Sequence, residues 1–386
     1  MRTKENKRGL FFVLCIYLIA GHSSILSGQK TESKLPYEMY GGKMIVNVII
    51  NGNEERVIFD TGAQISAFSK EFCSLNSLPL SDSVKVVDSN NQSHYYRKTQ
   101  IESLITPDQK IKFKNLIPIV MEETSMIKCF DVCGIIGSDL ISGLICIIDS
   151  QTKTITLATS ETQYQESYRF SHQFQEKSYM PVFELYVNNN YIKTLFDTGS
   201  DGFVALKNED YRMLDQNSAI DNKEIGYGFS SIGLSGVALQ SNILRTKIKD
   251  LRIGVAKFRD ITVETENLPY TLMGTKVLEY GKVVIDYPRR IFYFIPYTNE
   301  AVVIPSKSRE FYLTVSEGVL KVSTVWGDMS NVISPGDRVT HINGEPVKDY
   351  DFCESITIGI AELKGDDIKK LLIETKSGKI IELDYK

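Results

Sequence analysis

Two aspartates stand in nearly the same surroundings. Phe59-Asp60-Thr61-Gly62-Ala63 returns as Phe196-Asp197-Thr198-Gly199-Ser200, 137 residues later. Seventy-seven residues beyond each Asp comes a glycine behind two apolar residues, Ile135-Ile136-Gly137 and Leu272-Met273-Gly274. Twelve residues past each glycine stands a further Asp, Asp149 and Asp286. Three landmarks at one offset indicate a duplicated half-domain. Two carboxylates brought together share one proton. Their repulsion raises one pKa, so the ionised member can take a proton from water while the protonated member polarises a carbonyl. Such chemistry needs neither metal nor cofactor. The neighbouring residues suit it. Glycine permits a sharp turn and a close approach of the two loops, and a threonine hydroxyl can bond across to the partner loop. The residue after each glycine differs. Ser200 could donate to the outer oxygen of its own carboxylate, which Ala63 cannot, so Asp197 is expected to be the ionised member and Asp60 the proton carrier. Asp149 and Asp286 each precede a turn and read as strand ends.

The elements that must position these residues are legible. Met44–Ile50, an Asn51-Gly52 turn and the run into Asp60 form a hairpin signal. Residues 181–200 repeat it without a gap, around Asn188-Asn189-Asn190. Each half closes alike, with a short helix after the glycine, a buried strand, a turn and a last strand. Residues 162–177 are polar and link the halves. Composition shifts after Pro296. Strands flank Asp337-Arg338 and an Asn343-Gly344 turn, helical character is expected near 368–372, and a hairpin runs through Ser377-Gly378. This stretch has no counterpart in the repeat and is expected to be a separate third domain.

With 386 residues, 42% hydrophobic and 24% charged, the chain is long enough for two or three domains with a large core. Its net charge of -4 offers no polyanion-binding surface, so nucleic acid is not expected as a partner. Twenty Tyr and eighteen Phe suit a strand-rich protein. Arg2, Lys4, Lys7 and Arg8, then an apolar run from Leu10 to Ala20, read as an export signal over 1–24, too short to span a bilayer. An exported, periplasmic, cell-envelope or secreted protein with no stable membrane span after cleavage is expected. Five cysteines then remain. Cys73, Cys129, Cys133 and Cys146 lie in the first half and allow up to two bridges in any of three pairings, leaving Cys353 aside. Packed thiols or a structural bridge are expected rather than zinc, because no His pair accompanies the Cys129-x-x-x-Cys133 spacing. No Gly-x-Ser-x-Gly elbow, Walker loop or His-Glu-x-x-His motif occurs.

Over residues 38–297 the doubled Asp-Thr-Gly loops and the paired apolar-apolar-Gly elements resemble the aspartic proteases, the pepsin and retropepsin clan. The resemblance implies a mostly β fold: two retropepsin-like β-barrel lobes with pseudo-two-fold symmetry, at 30–160 and 161–300. It implies Asp60 and Asp197 as the catalytic pair of an aspartic endopeptidase, supported by Thr61, Gly62, Ala63, Thr198, Gly199 and Ser200, with Gly137 and Gly274 beneath the loops. A monomer would then hold a complete site for a peptide or protein substrate. Flaps over that substrate are expected at Tyr95 and Tyr96 in the first half and at Gly233 and Gly236 in the second; an ordinary exposed hairpin is the alternative for each. Residues 301–386 resemble a PDZ domain, an α+β fold, through Pro335-Gly336-Asp337-Arg338-Val339 and Ile342-Asn343-Gly344. That resemblance implies a peptide ligand or substrate recruitment. Residues 1 to about 300 are then expected to act alone on short peptides. A non-catalytic peptide-binding protein on the same scaffold is the alternative, and a two-carboxylate glycosidase a third reading, which leaves the Thr-Gly after each Asp unexplained.

Overall fold

The computed structural model describes residues 31–87, 93–122, 126–160, 169–173, 179–229, 232–233, 236–237, 239–304 and 308–386, with the backbone alone at 169–173, 232–233 and 236–237. The expected export segment and most of the polar linker lie outside the described residues. The chain is mostly β, its strands gathered into two large sheets.

Each half opens on a hairpin set by its turn. Lys43–Ile50 pairs antiparallel with Asn53–Phe59, Ile45 opposite Ile58. Asn51 and Gly52 both take positive φ, 48° and 93°, the conformation whose twist matches the flanking strands. In the second half Val182–Val187 pairs with Asn190–Phe196 across Asn188 and Asn189, at φ 42° and 65°. The second strand of each hairpin then gains a parallel partner. Val57, Ile58 and Phe59 lie beside Gly134, Ile135 and Ile136. Thr194, Leu195 and Phe196 lie beside Thr271, Leu272 and Met273, the same register at the 137-residue offset. All four runs are buried, and they are apolar apart from Thr194 and Thr271.

The halves meet strand to strand. Ile145–Asp149 pairs antiparallel with Gly281–Asp286, and Ile147 faces Val284. Those two residues are counterparts in the repeat, so the pseudo-two-fold axis passes between them. Thr154–Ala158 and Glu32–Tyr40 extend the sheet on one side, Ile291–Pro296 and Arg169–Gln173 on the other. One hydrophobic core runs through both halves, joining Phe59 and Ile148 to Phe196, Ile285 and Phe292. Within it Phe183 stacks on Phe292 with ring centroids 4.2 Å apart.

Residues 308–386 surround a core of their own, built on Phe311, Leu320, Val339, Leu371 and Tyr385. Two expectations are corrected here. The stretch near 368–372 is not helical: Lys369–Glu374 is a strand between Arg338–Ile342 and Ile380–Tyr385. Leu371 and Ile373 are buried and their neighbours are not, a period-two pattern that a helix could not bury. The unit's α-helix is Phe352–Thr357, capped by the Asp351 carboxylate. The cysteine pairing also differs. Cys129 is bonded to Cys353, 224 residues away, while Cys73, Cys133 and Cys146 carry free thiols. The cause is docking. Phe352, Cys353 and Ile356 rest against a first-half cluster that includes Cys129 and Phe130, which brings the two Cα atoms to 4.7 Å.

The C-terminal unit also joins the second half, as a continuation of its sheet. Val319–Trp326 pairs antiparallel with Asp221–Gly228, Gly226 opposite Trp326. Trp326 is 1% exposed and lies on Gly226, where a β-carbon would come within 2.5 Å of the indole. Burying such a side chain contributes about 1.5–3 kcal/mol. Beneath it Arg245, 4% exposed, sits 3.7 Å from the indole centre. Arg245 donates to Glu224, Glu264, the Arg309 carbonyl and the Tyr312 hydroxyl, each at 3.0 Å.

Candidate active site

The two parallel strand pairs deliver Asp60 and Asp197 to one place. Asp60 N–H donates to Ile136 O at 3.0 Å and Asp197 N–H to Met273 O at 2.9 Å, again counterparts at the repeat offset. Thr61 and Thr198 then cross. The Thr198 hydroxyl accepts from Thr61 N–H at 2.9 Å and donates to Phe59 O at 2.7 Å. The Thr61 hydroxyl accepts from Thr198 N–H at 3.1 Å and donates to Phe196 O at 2.7 Å. Both threonines are fully buried, so all four bonds are shielded from competing water.

The glycines explain the spacing of the loops. A β-carbon at Gly199 would stand 2.5 Å from Asp60 Oδ2, and one at Gly62 would overlap the Asp197 carboxyl group. Each carboxylate therefore rests in the space left by the other loop's glycine. Below the loops, Ser138 N–H donates to Ala63 O and Thr275 N–H to Ser200 O, both at 2.8 Å, which seats Gly137 and Gly274 under them.

The carboxylates are not equivalent. Asp60 Oδ1 accepts from Gly62 N–H at 2.9 Å and Ala63 N–H at 3.0 Å. Asp197 Oδ1 accepts from Gly199 N–H alone, at 2.8 Å. Burial first, then the Asp60 charge and a hydrogen bond with it, push the Asp197 carboxyl well above the usual carboxylate range; Lys43 and the Gly199 N–H oppose this. This direction runs against the one expected from Ser200. No hydrogen bond joins the Ser200 hydroxyl to Asp197. That hydroxyl lies on the Gly274 side, 2.9 Å from where a β-carbon of Gly274 would be, and Ser200 N–H goes to the Asp197 carbonyl at 3.2 Å. These surroundings favour the protonated form of Asp197.

Four residues that the motif did not mark complete the surroundings. Lys43 Nζ donates to the Gly199 carbonyl. Ser138 Oγ donates to Thr61 O at 2.7 Å and lies 3.3 Å from the Tyr287 hydroxyl. Burial, the Cys146 thiol and Asp60 push the Tyr287 phenol far up, so it stays neutral. Asp139 Oδ1 accepts from Ser66 N–H and Oγ and ties the first loop to the helix below it. Ser138 alone was findable from the repeat, where it stands opposite Thr275.

The candidate flap residues belong to two hairpins outside this hydrogen-bonded centre. Leu80–Val87 pairs with Ser93–Thr99, Lys85 opposite Tyr95 and Val84 opposite Tyr96. Tyr95 is 75% exposed, while Tyr96 packs with Val84 and Val86 against the first-half cluster. In the second half Asp221–Gly228 pairs with Ser241–Ile248, and between them Gly233 pairs with Gly236. Residues 88–92 lie outside the described ones. Among the described residues no cluster of three or more His, Cys, Asp or Glu side chains is placed to hold a metal ion, and no helix is long and apolar enough to cross a membrane. No known protein family and no curated protein matches this chain.

Proposed function

We propose that the chain is an exported aspartic-type endopeptidase, built from two retropepsin-like lobes and a PDZ-like C-terminal unit. The observation that carries this reading is the reciprocal threonine lock, which presses two half-buried carboxylates into each other's glycine loops. A like-charged pair held this close is costly unless one member keeps a proton, and a scaffold that only bound peptides would gain nothing from it. In the reaction, water lies between the carboxylates and the scissile carbonyl. Asp60 takes a proton from the water as its oxygen attacks the carbonyl carbon, and Asp197 gives its proton to the carbonyl oxygen. Collapse of the tetrahedral intermediate returns that proton, the proton held by Asp60 passes to the amide nitrogen, and the C–N bond breaks. The hairpins bearing Tyr95, Tyr96, Gly233 and Gly236 would cover the substrate. The Cys129–Cys353 bridge and the basic, apolar N-terminus both suit an oxidising compartment outside the cytoplasm. In the PDZ-like unit, Phe311–Ser316 pairs with one neighbour among the described strands, and its open edge would take an extended peptide.

The test is hydrolysis of an unfolded protein across acidic and neutral pH by the parent and by Asp60→Asn and Asp197→Asn. Each variant is expected to lose at least about 1,000-fold in kcat/KM while keeping the parent's circular dichroism. Substantial activity in either one would sink the two-carboxylate mechanism.

A further inference from the structure

We propose that Lys43 is a positioning residue of the carboxylate pair: from the first half it anchors the second Asp loop, and its charge sets the pH window in which the pair keeps a single proton. The proposal deepens the endopeptidase reading and rests on it for its kinetic arm.

Lys43 opens the strand Lys43–Ile50, directly after the Gly41-Gly42 turn. That turn is wedged on both sides. A β-carbon at Gly41 would lie 2.9 Å from Thr357 Cα in the C-terminal helix, and one at Gly42 would lie 2.8 Å from Asp201 Oδ2 beyond the second Asp loop. The lysine is therefore delivered by a clamped backbone. Its Nζ donates to the carbonyl of Gly199. The same residue gives its N–H to Asp197 at 2.8 Å and leaves room for Asp60 by lacking a side chain. The ammonium thus sits on a residue that touches both carboxylates.

The repeat makes this lysine one-sided. At the 137-residue offset its counterpart is Met180, packed among apolar residues with Leu195 and Leu268. A cation beside one loop has no match beside the other. The titratable groups facing the pair are Asp60 and Asp197 themselves, Tyr287 behind Asp60, Asp201 beside Gly42, and Lys43. Tyr287 is neutral, which leaves Lys43 as the only cation among them. An ammonium near two acids favours their ionised forms and moves both proton-loss steps of the pair to lower pH. Burial and mutual repulsion act the other way on Asp197. Lys43 is the counterweight that keeps the working window from drifting upward.

The experiment compares the full-length parent, Lys43→Met and Lys43→Arg by two readouts. One is a carboxyl carbon NMR titration of Asp-labelled protein without substrate, with Asp60→Asn and Asp197→Asn assigning the signals. The other is the pH profile of kcat/KM on a cleaved peptide. Lys43→Met, which places the counterpart's side chain here, is expected to move both titration steps and both limbs of the profile up by about one pH unit. Lys43→Arg is expected to overlay the parent. If Lys43→Met does not fold, Lys43→Gln keeps a donor for the Gly199 carbonyl, removes the charge and is expected to shift in the same way. Unmoved titration steps in the neutral variant, whether or not the rate falls uniformly, overturn the proposal. A parent that cleaves nothing, with titration steps that still move, would sink the endopeptidase reading and leave Lys43's role standing.

Discussion

At the residue scale the carboxylate pair is built from identical motifs and made unequal by what surrounds them. Asp60 receives two backbone N–H donors and Asp197 one, and Lys43 reaches the pair from one side only. This inequality has a consequence for stability. Asp197 is raised in the folded protein by burial and by Asp60, so the folded state binds a proton that the unfolded state releases. Below the ordinary Asp range both states are protonated and the site costs nothing. As pH rises from there through the folded value, stability is lost. Asp197→Asn, which never ionises, is therefore expected to melt above the parent at pH 7, by about 2–4 °C for each kcal/mol relieved, with the gap closing near pH 3. Scanning calorimetry at both pH values checks this, and a variant less stable than the parent at pH 7 would refute it. The pair itself was legible, because Asp-Thr-Gly recurs at a fixed offset. Lys43 was not: Met180 stands opposite it, and a reading guided by the repeat passes over positions where the halves differ. The role of Ser200 was misjudged for a related reason. Sequence spacing says what a hydroxyl can reach, and only packing against Gly274 says where it goes.

At the scale of elements, the hairpin Asp221–Gly228 with Ser241–Ile248 has two attachments. It belongs to the second half by chain, and its outer strand is held by Val319–Trp326 of the C-terminal unit. Arg245 is the rivet, bonded to groups on both sides and stacked against Trp326. Arg245→Met would leave Glu264 half-buried without its cation and remove the stacking partner of the indole. The expected cost is about 2–3 kcal/mol, at the low end for a broken buried pair because Glu224 is partly in water. Denaturant unfolding reads that cost. Amide exchange should quicken at 221–228 and 241–248 before the rest of the sheet, and exchange at the parent's rate there would show that the hairpin is held by other contacts. The hairpins were readable from turn chemistry, since Asn-Gly and Asn-Asn sit where positive φ is needed. Lys369–Glu374 was not, because Lys-Lys-Leu-Leu-Ile-Glu has no alternation in its letters. Its period of two exists only in burial, decided by strands on either side.

At the scale of the molecule, the C-terminal unit is a brace with two fastenings. Its strand continues the second half's sheet, and its helix is bonded to the first half through Cys129–Cys353, beside Ala63 and Ile65 of the first Asp loop. Removing it would bare the Gly226 face and release the turn that carries Lys43. Cys353→Ser is expected to cost about 2–4 kcal/mol. Ending the chain after Ile304 is expected to cut hydrolysis of even short peptides, against the expectation from the repeat alone. A truncated protein that folds and cleaves at the parent's rate would show the brace to be dispensable. Here the boundary between what sequence and tertiary structure decide is plain. The duplication, the two carboxylates, the opening hairpins and the mostly β character were legible, because turn φ and strand period are local properties of the chain and a repeat shows by comparing the sequence with itself. The bridge to Cys353, the union of Trp326 with Gly226 and the grip of Lys43 on Gly199 join residues about 100 or more apart that the repeat offset does not relate. No local pattern encodes such pairs, because they exist only once separately formed surfaces have docked.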